Sequence, residues 1–275
     1  MSKGTPSTVR AETIVIPLSG AAAEHGERRI AVEAGVEVSF GGVPFAVMMV
    51  TPADLEDFAI GFSVTEGIVA RADEVRRVTL TVGERGVGVA IEVAPDRMHN
   101  LLARRRSMSG RTGCGVCGIE DLDALERAEP VRVDASARPV AISAVARALA
   151  DLPDRQVLSR ETGATHAAAF ADRDGAILLV REDVGRHNAL DKLVGAILRG
   201  EIDPADGFIV VTSRCSFEMV EKAASLGARL IVAISAPTSF AIERARALGV
   251  ALVAVARRDS VTVFHGADRL DFPQP

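Results

Sequence analysis

Several residue types that support particular functions are scarce or missing in this chain. Its 275 residues include no tryptophan and no tyrosine, and the formal net charge is −5. The chain therefore has few aromatic side chains on which bases could stack, and its charge does not favour binding of single-stranded nucleic acid. The longest apolar run, residues 247–256, is about half the length of a membrane-spanning helix. The first 12 residues contain no apolar core of signal-peptide type. We therefore expect a cytoplasmic protein that binds neither nucleic acid nor membranes.

Cysteine is also scarce: the chain has Cys114, Cys117 and Cys215. A chain of this length does not need disulfides to hold its core, and an odd number of thiols fits a reducing compartment. We therefore expect a chemical role for these thiols before a role in stabilising the fold.

The first half of the sequence predicts a small α+β domain. Strand-like segments lie between Glu12 and Val50, with a tight turn at Gly41-Gly42. Pro52 followed by acidic residues indicates a helix start, and two further strands follow at residues 77–82 and 88–93. We predict a flexible tail over residues 1–11, this domain over 12–130, and a second domain over 131–275.

The second half predicts a three-layer α/β/α domain. After a helix at residues 139–149, short apolar runs alternate with amphipathic helices, which is typical of a mostly parallel sheet covered on both faces. The predicted strands span residues 176–180, 208–212, 230–235 and 251–256, with an edge strand at 261–264, and the predicted helices span 188–198, 217–226 and 240–248.

Polar loops follow the predicted strands, at the sheet edge where open α/β proteins bind ligands. Serine and threonine residues in them are natural helix N-caps, whose neighbouring N–H groups can hold an anion, and arginines add positive charge. A phosphate-bearing ligand is one interpretation; the other is ordinary capping and surface charge, since no Gly-rich nucleotide fingerprint is present. His187 is a ligand contact or an acid/base group in the first interpretation. The residues concerned are Ser213, Arg214, Ser216, Thr238, Ser239, Arg181, Arg186, Arg257 and Arg258.

Two of the cysteines occupy a glycine-rich loop, Gly113-Cys114-Gly115-Val116-Cys117-Gly118, which follows an arginine-rich stretch. A zinc site would need two further ligands, and no second C-x-x-C accompanies the pair. A thioredoxin-like redox pair would directly follow a strand. A nucleophilic thiol whose pKa is lowered by nearby arginines is the third interpretation. Cys215, at a predicted helix start, is interpreted as a packed residue.

Long motifs resemble the formate dehydrogenase accessory sulfurtransferase (FdhD) family. The resemblance extends from about residue 12 to about residue 270. It is carried by residues 111–118 (RTGCGVCG), 181–192 (REDVGRHNALDK), 213–222 (SRCSFEMVEK), 235–239 (SAPTS), 52–67 (PADLEDFAIGFSVTEG) and 162–168 (TGATHAA).

This resemblance implies a function and a set of partners. Such proteins take sulfur as a persulfide from a cysteine desulfurase and pass it to the molybdenum (or tungsten) bis(molybdopterin guanine dinucleotide) cofactor before its insertion into formate dehydrogenase. The resemblance also implies a homodimer and a cytidine-deaminase-like C-terminal domain without zinc. A non-enzymatic chaperone that only binds and delivers the cofactor, and a deaminase relative, are the alternatives.

The resemblance assigns roles to particular residues. It implies that Cys114 carries the persulfide, with Cys117 as a relay or second acceptor. It also implies that the stretch after the last core strand binds the cofactor, namely Val255, Ala256, Arg257, Arg258, Asp259 and Ser260. With the strand-end residues Ser213, Arg214, Thr238, Ser239, Arg186 and His187, these form the predicted cofactor-binding set.

Overall fold

A computed structural model describes residues 5–98, 128–131, 138–257 and 259–273 of a mixed α/β protein. The strands are β1 Thr8–Val15, β2 Glu24–Ala31, β3 Ala34–Phe40, β4 Val43–Val50, β5 Val75–Gly83, β6 Gly86–Val93, β7 Val140–Ala141, β8 His166–Asp172, β9 Ile177–Asp183, β10 Gly207–Val211, β11 Leu230–Ala233, β12 Ala251–Ala254, β13 Thr262–His265 and β14 Leu270–Asp271. The helices are α1 Leu55–Thr65, α2 Ile142–Arg155, α3 Val157–Thr162, α4 Arg186–Arg199, α5 Phe217–Leu226 and α6 Ser239–Leu248. Within the described residues, no helix is long and apolar enough to cross a membrane.

The N-terminal sheet has four strands in the order β4-β3-β6-β5. Alternate residues of β3 and β6, such as Val38 and Val89, are fully buried against the apolar face of α1, as expected for a sheet with one covered face. Gly41 and Gly42 both have positive φ, which confirms the predicted tight turn between β3 and β4.

Helix α1 begins three residues later than predicted. Asp54, at the N-cap position, has a left-handed backbone with φ 54° and ψ 36°, so Pro52 lies before the helix and is not its first residue. The chain just before the helix is fixed by the other half of the molecule, because the Thr51 N–H donates to Asp183 Oδ2 at 2.9 Å. A tertiary contact therefore sets the helix start.

The second sheet has six strands in the order β13-β12-β11-β10-β8-β9. The prediction of a mostly parallel sheet is wrong: β10, β11 and β12 are parallel, whereas β8 is antiparallel to both β9 and β10, and β13 is antiparallel to β12. Strand β8 was not predicted, because its sequence HAAAFAD is rich in alanine, which does not favour strands. Burial on both faces stabilises it here.

Helices cover this sheet on both faces, which gives three layers. Helices α4, α5 and α6 pack on one face. Helix α2 packs on the other through Val145, Ala148 and Leu152. Helix α2 begins at Ile142 and not at Pro139 as predicted, because Val140 and Ala141 first pair with β14 as a short parallel strand.

Helix α1 joins the two halves by packing against α4. A Cβ atom added at Gly61 would lie 1.8 Å from Asp191 O, and one added at Gly195 would lie 1.9 Å from Asp57 O. Each helix therefore offers a glycine to the backbone of the other, and their axes approach more closely than any larger side chain would permit.

Strands β1 and β2 form a separate antiparallel ribbon. Strand β1 begins at Thr8, inside the range 1–11 over which a flexible tail was predicted. The ribbon contacts the rest of the chain near α3, where Arg29 Nη1 lies 3.1 Å from Glu161 Oε2.

Candidate functional site

The loops after β9, β10, β11 and β12 lie at one edge of the six-stranded sheet. Strand β8 separates β9 from β10, so these four strands are not all adjacent. Because β8 is antiparallel to both neighbours, its first residue, His166, joins the same edge. The edge therefore combines four strand ends and one strand start.

The loops after β10 and β11 are tied to each other by backbone hydrogen bonds. The Cys215 N–H donates to Ala236 O at 3.2 Å, and the Thr238 N–H donates to Cys215 O at 3.0 Å. The Cys215 side chain is fully buried in the core beneath them, and burial raises its pKa to about 12. The interpretation of Cys215 as a packed residue is thus confirmed, and its thiol stays protonated near neutral pH.

Two of the predicted N-caps differ in what their side chains do. Thr238 caps α6, since its hydroxyl accepts a hydrogen bond from the Ala241 N–H at 3.2 Å. Ser216 occupies the N-cap position of α5 without a side-chain capping bond; its hydroxyl donates to Glu218 Oε2 at 2.7 Å instead. Ser213 is buried and donates to Arg214 O, while Arg214 and Ser239 are exposed.

Basic side chains from β8 and the start of α4 meet a carboxylate from α5 at this edge. His187 Nε2 lies 3.6 Å from Glu218 Oε2, with both side chains more than four-fifths buried. Within the described part of the chain, the buried Nε of Arg186 and Nε2 of His187 have no hydrogen-bond partner. Buried polar atoms rarely lack a hydrogen-bond partner. The cluster of His166, Arg186, His187 and Glu218, which we call the corner, is therefore a candidate site for a ligand that accepts hydrogen bonds.

The electrostatics of this corner are mutually dependent. Burial lowers the pKa of His166, and the neighbouring basic groups of Arg186 and His187 lower it further. For Glu218, burial alone would raise the pKa, but His187 and Ser216 outweigh it and lower the pKa to about 2. The corner therefore holds one fixed negative charge and a larger number of basic groups.

The loop after β12 leaves the sheet through a strained residue. Val255 has φ 51°, a left-handed conformation that is costly for a β-branched side chain. The Val255 N–H donates to Ser235 O at 3.1 Å, which holds it there. Ala256 is buried.

The next residues of this loop are exposed. Arg257 Nη1 donates to Ile234 O at 2.6 Å, and the Arg257 N–H donates to Ser260 O at 2.8 Å. Asp259 and Ser260 contact each other through a side-chain hydrogen bond. Arg258 lies outside the described residues. Arg257 therefore braces the β11 loop while its side chain remains at the surface.

Four further charged residues of the 181–192 motif point away from this edge, into a buried interface with α1 and α5. Glu182 instead accepts hydrogen bonds from the Leu158 and Ser159 N–H groups of α3. Lys192 Nζ lies 2.7 Å from Asp183 Oδ2, with both side chains fully buried. Arg181 Nη2 lies 2.7 Å from Asp57 Oδ2. Lys222, on α5, lies 2.8 Å from Asp191 Oδ1 and also donates to Thr65. We call this set of Asp57, Arg181, Asp183, Asp191, Lys192 and Lys222 the charged interface.

Sequence reasoning missed the charged interface. The signal was the spacing of Asn188, Asp191 and Lys192 within a helix whose remaining residues are mostly apolar, since polar groups on a buried helix face need partners. Their distant partners could not be identified from sequence, because Met49, Thr51 and Thr65 lie more than 120 residues away.

The two cysteines of the glycine-rich loop, Cys114 and Cys117, lie outside the described residues. Over residues 5–98, 128–131, 138–257 and 259–273, no group of three or more His, Cys, Asp or Glu side chains is placed to hold a metal ion. The absence of zinc accordingly stays a prediction.

The fold and this edge define a class of mixed α/β protein. Its smaller sheet is joined to the larger one through a buried charged interface. The larger sheet has a basic edge, formed by the loops after β9, β10, β11 and β12, which we call the basic sheet edge. The chain belongs to the FdhD/NarQ family, whose model matches residues 31–271. Curated relatives named Sulfur carrier protein FdhD are 49% identical in Xanthomonas campestris pv. campestris strain B100, covering 88% of this chain and 85% of that protein, and 46% identical in Bordetella petrii, covering 88% and 86%. A third, from Xanthomonas oryzae pv. oryzae, is 44% identical and covers 98% of this chain and 97% of its own.

A solved structure has the same fold. The crystal structure of a protein described as a formate dehydrogenase accessory protein, from Desulfotalea psychrophila, matches 96% of this chain and 100% of its own with a TM-score of 0.76 and 23% sequence identity. At this identity the likeness concerns the fold alone.

Proposed function

We propose that this protein is a sulfur carrier that serves formate dehydrogenase. The observation that carries the proposal is the 44–49% identity, over most of the chain, to relatives named sulfur carrier proteins. The proposed source of sulfur is a cysteine desulfurase. The proposed acceptor is the molybdenum bis(molybdopterin guanine dinucleotide) cofactor, which is a substrate here.

The burial of Cys215 narrows the choice of sulfur-carrying thiol. A nucleophilic thiol must be exposed and easily deprotonated, whereas Cys215 is fully buried with its pKa raised to about 12. The chain has three cysteines, so Cys114 and Cys117 remain. We assign the persulfide to Cys114, as the family resemblance implies.

The loading step balances as a thiol exchange. The Cys114 thiolate attacks the terminal sulfur of the desulfurase persulfide, a new S–S bond forms on Cys114, and the desulfurase cysteine leaves as a thiolate. Arginines close in the sequence, such as Arg111, would favour the thiolate and then the persulfide anion, because positive charge stabilises both. No oxidant is consumed in this step.

Release of the sulfur requires two electrons, which we assign to Cys117. Its thiolate attacks Cys114 Sγ, the persulfide S–S bond breaks, and the terminal sulfur leaves as hydrosulfide toward the cofactor. A Cys114–Cys117 disulfide forms, and a cellular thiol reductant restores the two thiols. Cys117 is then the electron donor, which distinguishes its role from that of Cys114.

The basic sheet edge is the proposed binding site for the cofactor. A guanine dinucleotide carries phosphates, and arginine guanidinium groups bind them through charge-assisted hydrogen bonds. Arg186 has a buried Nε without a partner in the described chain. Arg257 and Arg214 are exposed at the same edge. We include His187 and the predicted residues of loops 213–216, 238–239 and 255–260 in this site.

Mass spectrometry of the intact protein tests the proposal. After incubation with a cysteine desulfurase and cysteine, the wild type should gain sulfur on a peptide that contains Cys114. Cys114→Ala should gain none, and Cys117→Ser should gain sulfur but retain it when an acceptor is added. Cys215→Ala is the matched control and should load like the wild type. If the protein were a chaperone without sulfur chemistry, neither the wild type nor any of the three variants would gain sulfur.

A further inference from the structure

The turn between β9 and α4 leads directly into the corner, and its backbone is held from behind by buried acceptors. The Val184 N–H donates to Thr51 Oγ1 at 3.1 Å, and the Gly185 N–H donates to Asp183 Oδ1 at 2.8 Å. Both acceptor residues are fully buried. Breaking either bond would leave a polar group without a partner inside the protein, which is costly, so the turn has little freedom to move.

Thr51 directs its backbone as well as its hydroxyl at the segment that leads into α4. Its N–H donates to Asp183 Oδ2 at 2.9 Å, and its C=O accepts a hydrogen bond from Lys192 Nζ at 2.9 Å. Thr51 directly follows β4 of the N-terminal sheet. A residue from the other half of the molecule therefore fixes this turn.

Asn188 ties the first turn of α4 to the same place. Its Nδ2 donates to Met49 O at 2.8 Å and to Asp183 Oδ1 at 3.0 Å. A Cβ atom added at Gly185 would lie 2.8 Å from this Nδ2, so the amide reaches the turn only because residue 185 is a glycine. The two residues between Gly185 and Asn188 are therefore held at both ends.

Those two residues, Arg186 and His187, have no comparable contacts on their other side within the described chain. Arg186 Nε and His187 Nε2 are buried without a hydrogen-bond partner there. Glu218 Oε2 lies 3.6 Å from His187 Nε2, which is longer than an ordinary hydrogen bond. The positions of these nitrogen atoms are therefore set mainly from behind, by the turn.

We propose that Thr51 is a positioning residue for the corner. By accepting from the Val184 N–H, its hydroxyl sets where Arg186 and His187 direct their buried nitrogen atoms. Charge-assisted hydrogen bonds to a phosphate depend on distance and direction, so a small displacement of the turn weakens them. Thr51 is fully buried and acts only through the turn. This inference rests on the proposed function of the basic sheet edge as the cofactor-binding site.

Two substitutions of Thr51 separate positioning from packing. Thr51→Val nearly keeps the shape and removes the hydroxyl acceptor, whereas Thr51→Ser, the matched control, keeps the hydroxyl and removes a buried methyl group. Both should lower the free energy of unfolding, measured in urea. Calorimetry with guanosine diphosphate as the probe, well below the unfolding midpoints, should show about fivefold weaker binding by Thr51→Val and wild-type affinity for Thr51→Ser. Unchanged affinity in Thr51→Val, or an equal loss in both variants, would overturn the proposal.

The imidazole ring of His187 reports the position of the turn without any ligand. In NMR spectra of the free protein, the ring resonances of His187 should shift or broaden in Thr51→Val and stay in place in Thr51→Ser. The ring of His25, in the exposed strand β2, should be unaffected by either change.

This second measurement separates the positioning role from the proposed function. Unchanged His187 resonances in Thr51→Val would overturn the positioning role, whatever the affinity for guanosine diphosphate. A wild type that does not bind guanosine diphosphate, combined with shifted His187 resonances in Thr51→Val, would support the positioning of the corner and contradict its proposed use as the cofactor site.

Discussion

The charged interface and the basic sheet edge draw on one twelve-residue motif and use it in opposite ways. Arg181, Asp183, Asp191 and Lys192 are directed toward α1 and α5 and pair with other buried side chains. Arg186 and His187, at the first turn of α4, are directed to the sheet edge, and each keeps a buried nitrogen atom without a hydrogen-bond partner in the described chain. The motif therefore contains both the scaffold and the candidate site.

The difference follows from helix geometry. In α4, residues 188, 191, 192 and 195 lie on one face, and that face packs against α1, where Gly61 and Gly195 allow close contact. Residues 186 and 187 precede this face and lie at the carboxyl end of β9. We expect a change in the interface to affect the free energy of unfolding, and a change at the edge to affect ligand binding.

The largest effect should come from Lys192→Met. It removes the buried partner of Asp183, and an uncompensated buried charge typically costs about 3–5 kcal/mol. Urea unfolding measures the loss. Arg147→Ala is the control, since its pair with Asp151 is half exposed and should contribute less than about 1 kcal/mol. Equal losses for the two variants would show that the interface is not a structural element.

A smaller loss should follow from Gly61→Ala. The added methyl group would lie 1.8 Å from Asp191 O, so α1 and α4 must separate, and overpacking of this kind costs about 1–3 kcal/mol. Thermal unfolding should show a lower midpoint. Gly88→Ala, whose added Cβ meets no atom closer than 3.7 Å, should leave the midpoint nearly unchanged; a comparable drop there would contradict the close-contact explanation.

Replacing two arginines of the motif one at a time sharpens the comparison between the charged interface and the basic sheet edge. Arg186→Gln should weaken the binding of guanosine diphosphate, used as a probe, about tenfold, which is about 1.4 kcal/mol, with little change in stability. Arg181→Gln should lower the free energy of unfolding and leave the affinity for guanosine diphosphate nearly unchanged, because Arg181 contacts Asp57 and not the edge. Calorimetry and urea unfolding of both variants measure this. Equal affinities for wild type and Arg186→Gln would show that Arg186 is not part of the binding site.

The smallest effect concerns Glu218, whose pKa of about 2 lies below its ordinary value of 4.5. A depressed pKa stabilises the folded state above about pH 4.5, and this contribution is lost as the pH falls toward 2. The site is partly solvated, so we expect about 1 kcal/mol. The unfolding free energies of Glu218→Gln and wild type should differ at pH 6, and the difference should shrink below about pH 4.5 and vanish as the pH falls through about 2. A constant difference would mean that the Glu218 charge is not involved.

Much of the fold could be predicted from the sequence. The helix over Phe217–Leu226 has the predicted bounds, and Gly227 and Gly249 follow the ends of α5 and α6 with the positive φ that favours glycine there. The edge strand near Thr262 also occurs. These features depend on local chemistry: apolar periodicity, capping residues and the conformational freedom of glycine.

Other elements were predicted wrongly or not at all, for reasons that lie outside local sequence. The start of α1 is set by Thr51 bonding to Asp183. The alanine-rich β8 is a strand because both of its faces are covered. Its antiparallel insertion between β9 and β10 also changed which loops are neighbours at the edge.

By itself, the sequence determined which chemical groups this protein has: two thiols in a glycine-rich loop, a third thiol elsewhere, and motifs rich in arginine, aspartate and lysine. The tertiary structure alone decided which of them are available. It buried Cys215 and raised its pKa to about 12, and it paired Lys192 with Asp183 away from solvent. The physical reason is that the cost of burying a charge or a thiolate depends on its surroundings, and those surroundings come from segments far apart in the chain.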